Sequence, residues 1–181
     1  FGLCLRIPKI KVTLASDTEE EPNLIRVPTW KLVLVPALAL TTFSMSYGAV
    51  SSFLPPAVQE LDAERGASLA GIMLSIVGGA AMIFRYFAGM VADRVGAPGR
   101  LYIPSQIMAI VGVLAIAVPL YLGGSVWWLV LGAFLFGGAF GIAQNEALLS
   151  MFDRLPRERV SEVSAIWNIF YDGGTGLGST L

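Results

Sequence analysis

Asp172 is an acid set in an apolar stretch, and polar side chains recur around it. Ser161, Ser164, Asn168, Tyr171, Asp172, Thr175 and Ser179 follow one another at three- and four-residue intervals, which places them along one side of a helix. Ile166, Ile169, Phe170 and Leu177 occupy the rest of the circumference. A polar face of this length in an apolar helix predicts a water-filled cavity or a buried helix contact. An ionised carboxylate exposed to lipid costs at least about 2.5 kcal/mol. Asp172 must therefore face protein or water, or hold a proton. The chemistry open to it is binding of a proton or a cationic solute; the plainer alternative is a structural bond to a neighbouring amide or hydroxyl.

Three further groups belong with it. Tyr47 lies among Thr41, Ser44, Gly48 and Ser51 at helical spacing and is a cavity-lining candidate, although short hydroxyls also bond back to their own helix. Gln144, Asn145 and Glu146 are consecutive, so on a helix they point in three directions about 100° apart. Asn145 falls four residues after Gly141 on a face of small side chains and is the one expected to share a cavity, with Glu146 reaching toward the interface. Arg85 sits inside an apolar segment, eight residues before Asp93. Its expected behaviour is to snorkel toward the cytoplasmic headgroups.

Other chemistries are excluded by composition. With no histidine in 181 residues, there is no His relay, His metal ligand or Ser-His triad. The lone Cys4 excludes an intrachain disulfide and most Cys-based metal sites. No metal or cofactor is expected. A net charge of −1 implies no nucleic-acid partner. The run from Gly173 to Thr180 has phosphate-loop glycine spacing, but Ser179 stands at the lysine position and Asp172 would repel phosphate.

Apolar helices must position these groups. The chain is 55% hydrophobic and only 14% charged, against roughly 25% charged in soluble domains. Five apolar segments are predicted, over 30–54, 68–92, 101–122, 126–152 and 163–181, each near the ~20 residues that cross a bilayer core. Helix is the form that satisfies the backbone in lipid. Pro55-Pro56 is expected to close the first segment. Residues 1–29 read as a cytoplasmic linker, with a basic group at Arg6, Lys9 and Lys11 and an acidic run at Glu19, Glu20 and Glu21. Phe1–Leu5 are compatible with the tail of a preceding helix.

The loops predict the orientation. Arg6, Lys9, Lys11, Arg26, Lys31, Arg94, Arg100, Arg154, Arg157 and Arg159 fall on one side, and only Arg65 on the other. The positive-inside rule puts the first side in the cytoplasm. Small residues at Ala67, Gly71, Ser75 and Gly79, at Gly137 and Gly141, and at Gly174 and Gly178 form stripes that let helices pack closely.

Between the second and third segments, Gly89, Asp93, Arg94, Gly96 and Arg100 give the spacing G-x-x-x-D-R-x-G-x-x-x-R. Gly89 would admit a close helix neighbour, the charged pair would stop the helix at the headgroups, and Gly96, Pro98 and Gly99 would turn the chain. This spacing resembles the signature loop of the major facilitator superfamily, G-x-L-A-D-[RK]-x-G-[RK]-[RK]. It departs from that pattern at Ala97 and Pro98, where basic residues are expected. The stretch Asp153 to Arg159 is similar to the loop after the family's tenth helix.

The resemblance covers Trp30 to Leu181. It implies an all-α integral membrane fold of about five transmembrane helices, the seventh to eleventh of a half bundle. The fragment would then lack the last helix and the N-terminal half of the same protein. It implies secondary active transport of a small solute by alternating access, in the plasma membrane. A coupling proton is a candidate partner, with Asp93 and Arg94 in a cytoplasmic gate. Asp172, Asn168, Asn145 and Tyr47 are the candidate substrate or proton ligands. A multi-span scaffold or sensor is the competing class. A membrane enzyme has the least support, since no paired carboxylates lie in the spans.

Overall fold

The computed structural model describes residues 29–61, 64–96, 98–154 and 159–181. The linker before Thr29, its basic and acidic groups, and Arg157 lie outside these. Among the described residues the fold is all helical, with five helices: α1 (Thr29–Leu61), α2 (Gly66–Val95), α3 (Tyr102–Leu122), α4 (Val126–Asp153) and α5 (Val160–Thr180). Helices α1 to α4 are long and apolar enough to cross a membrane. α5 is long enough, but its polar stripe lowers its mean hydropathy, and it lies along α1. This is an integral-membrane helical bundle.

α4 is the central helix, packed on α2 and α3 and in contact with α1. Its glycines make the approach possible. A Cβ at Gly137 would collide with the backbone of Val77, and one at Gly141 with that of Ala81. Toward α3, a Cβ at Gly132 would lie 2.7 Å from the Gly112 carbonyl oxygen. Without a hydrophobic drive between helices in lipid, contact this close supplies dispersion energy along the whole crossing. α5 meets α1 in the same way, through Gly174 and Gly178 on one side and Gly48 on the other. The α2 stripe differs. Ala67, Gly71, Ser75 and Gly79 are exposed, and a Cβ at Gly71 or Gly79 would meet no atom within 4 Å. That stripe packs on none of the five helices.

Two helix ends depart from expectation. Pro55-Pro56 does not close α1, which runs on to Leu61. Leu54 and Val58 flank the pair and are both buried in a cluster with Ala70, Met73 and Val77. Their burial holds the helical register across two missing amide donors. Asp93 and Arg94 do not stop α2 either. The helix continues to Val95 and ends at Gly96, whose φ of 66° is left-handed and whose amide donates to the Ala92 carbonyl at 2.8 Å. Only glycine adopts that cap without a Cβ penalty.

Candidate functional site

α2 and α5 do not pack along one another, and Arg85 reaches across the space between them. Its Nη1 donates to Gln144 Oε1 on α4 at 3.3 Å. Its guanidinium carbon lies 5.9 Å from the centroid of the Trp167 ring on α5, within the range of a cation–π contact. Arg85 therefore turns into the bundle rather than snorkelling to the headgroups. The reason is local: a buried amide and an aromatic face both lie within reach.

Behind Trp167 the aromatic rings continue. Tyr171 stacks on it at 5.0 Å with planes 5° apart. Phe140 of α4 follows at 6.2 Å, and Tyr47 of α1 stacks on Phe140 at 4.5 Å and 4°. Four rings from three helices thus form one wall, with Arg85 at one end. Tyr171 also neighbours Gln144, Tyr47 and Asp172 electrostatically.

The sequence candidates divide. Tyr47 belongs to the wall. Asp172 lies one residue beyond Tyr171 and is exposed. Asn168 is exposed too, with Nδ2 bonded to the Ser164 carbonyl at 2.8 Å. Ser164 and Thr175 likewise donate to carbonyls of their own helix. The polar stripe is therefore not filled by another described helix. The buried face of α5 is Val163, Gly174 and Gly178. Asn145 is not brought to the wall. It lies on the Gly141 face, but that face packs on α2, and Asn145 Oδ1 is 3.9 Å from where a Gly89 Cβ would be. Gln144 takes the place expected for Asn145. Arg85, Gln144, Trp167, Tyr171 and Phe140 were not singled out together by spacing. The available signal was one cation within an apolar span, one amide and a run of aromatics on different helices.

The signature loop closes the same end of the bundle. Asp93, Arg94 and Arg100 are exposed. Asp93, Gly96 and Pro98 line a cleft of about 310 Å³ together with Leu149, Phe152 and Asp153 of α4. Among the described residues, a Cβ at Gly89 would meet Asn145 Oδ1 at 3.9 Å, an ordinary contact distance, so no described helix requires glycine there. The loop is tied down by Glu146 instead. Glu146 is 1% exposed, and its carboxyl accepts the amide of Gly99. At the neighbouring corner, Arg154 Nη1 donates to the Leu32 carbonyl at 3.2 Å and joins the end of α4 to the start of α1.

A tightly packed helical membrane bundle, with a cation and aromatic rings meeting inside it and an Asp-Arg-x-Gly loop at one end, is the arrangement of a polytopic membrane protein. The sequence model of the Major Facilitator Superfamily matches residues 2–179, and the chain belongs to that superfamily. It is a multi-pass membrane protein. No curated protein matches it, and no solved structure does.

Proposed function

We propose that the protein is a secondary active transporter that moves a small solute across the plasma membrane by alternating access, and that this chain is part of its C-terminal half. The observation that carries the reading is the meeting of Arg85, Gln144 and Trp167 between α2 and α5, two helices that share no packed seam. Charged and aromatic groups between loosely joined helices are what a solute pathway needs. Asn168 and Asp172 are exposed on the polar stripe of α5. The N-terminal half of the same protein would supply the opposite wall.

Thiol accessibility tests this reading in the intact protein with Cys4 replaced by serine. The thiol of Asp172→Cys should react with an impermeant maleimide from both faces of oriented vesicles. Thiols placed in the 93–100 loop should react from the cytoplasmic face alone, as the charge distribution requires. A position-172 thiol unreactive from either face would sink alternating access at this site.

Asp172 is proposed as the coupling site for a proton or a cationic solute, on the strength of its exposure beside Tyr171 within the stripe. Asp172→Asn keeps the shape and removes the charge. Uptake or efflux driven by a proton gradient should fall by at least about tenfold, the scale for loss of one interaction near 1.4 kcal/mol. Wild-type rates with an unchanged pH profile would make Asp172 a surface residue of the helix and no more.

A further inference from the structure

We propose that Arg85 anchors an organic monoanion, its guanidinium taking a carboxylate and the Trp167–Tyr171 stack lining the path of a planar apolar body. The proposal rests on the transport reading and names the substrate class for it. Arg85 is half-buried on α2, ten residues before the end of the helix at Val95, or roughly 15 Å along its axis. A cation at that depth is costly unless it is partnered. Its partners among the described residues are one amide oxygen, on Gln144, and one ring face, on Trp167. Neither carries a negative charge. Asp172, the acid on the facing α5, makes no ion pair with it among the described residues.

A guanidinium has five N–H donors in a planar fork that matches a carboxylate, and the bond to Gln144 uses one of them. The site therefore holds a fixed positive charge with donors to spare. Gln144 braces the guanidinium from α4, and the aromatic wall continues away from it through Tyr171, Phe140 and Tyr47. The charge calls for an anion and the wall for a flat, apolar remainder. Together these select an aromatic monocarboxylate.

The test is calorimetric titration of the intact protein in lipid nanodiscs with 4-nitrobenzoate. Its neutral shape-mate 4-nitrobenzyl alcohol and its cationic counterpart 4-nitrobenzylamine serve as controls. The anion should bind saturably and more tightly than either control. Arg85→Gln should weaken it by about 10- to 100-fold, the range for a hydrogen bond to a charged group. Arg85→Lys keeps the charge without the fork and should fall between. Trp167→Leu should weaken 4-nitrobenzoate more than it weakens acetate. Absence of saturable binding, equal affinity for the neutral shape-mate, or wild-type affinity in Arg85→Gln would overturn the proposal. If Arg85→Gln does not fold, Arg85→Lys and the three-ligand comparison still decide it. Binding without movement of 4-nitrobenzoate into liposomes would remove the transport reading and leave the anion site. No binding, with the position-172 thiol reactive from both faces, would do the reverse.

Discussion

Gly141→Ala is expected to destabilise the bundle by about 1–3 kcal/mol, the usual cost of overpacking a filled core, and Gly141→Leu to abolish the folded protein. The added Cβ would land on the Ala81 carbonyl, which is backbone and cannot move without shifting α2. α4 is the helix against which α2 and α3 are both laid, so a displaced α2–α4 crossing would disturb the whole bundle. Gly89→Ala supplies the contrast. The new methyl would meet one side-chain oxygen at 3.9 Å, and a helical Gly→Ala change gains up to about 1 kcal/mol in propensity. Thermal unfolding and size-exclusion profiles in detergent read both. Equal melting temperatures for Gly141→Ala and the unsubstituted protein would show that the crossing is looser than described.

Glu146→Ala should have the second large effect. Its side chain is buried and accepts the Gly99 backbone amide at the start of the turn into α3. Removing the acceptor leaves that donor short of a partner, at a cost of about 1–3 kcal/mol. The turn would lose its tie to α4, and with it the wall of the Asp93–Asp153 cleft. If the loop is part of a gate, transport should drop with membrane insertion intact, and backbone amides 98–101 should exchange hydrogen faster. Glu146→Gln retains an acceptor oxygen and should recover part of the loss. Unchanged exchange in Glu146→Ala would show that the loop is held by its glycine turn alone.

The amino-acid pattern by itself determined the class of fold, because lipid offers a backbone no partner and long apolar runs must become helices. It also placed the α2–α3 turn, since Gly96 and Gly99 both adopt positive φ. The three directions of Gln144, Asn145 and Glu146 follow from helical geometry. Their targets do not: Gln144 meets Arg85, Asn145 lies by Gly89, and Glu146 clamps Gly99. Those depend on the rotation of α4 about its axis, which is fixed by where Gly137 and Gly141 seat on α2. The Pro55-Pro56 pair shows the same limit, because burial of Leu54 and Val58 outweighs a local helix-breaking signal. Arg85 shows it most clearly. In sequence it is a cation some two turns from an interface, and snorkelling is its lowest-cost course in lipid alone. Only the approach of α4 and α5 offers it an amide and an indole face. Side-chain direction in a bundle is decided by contacts between helices, and those contacts join residues far apart in the chain.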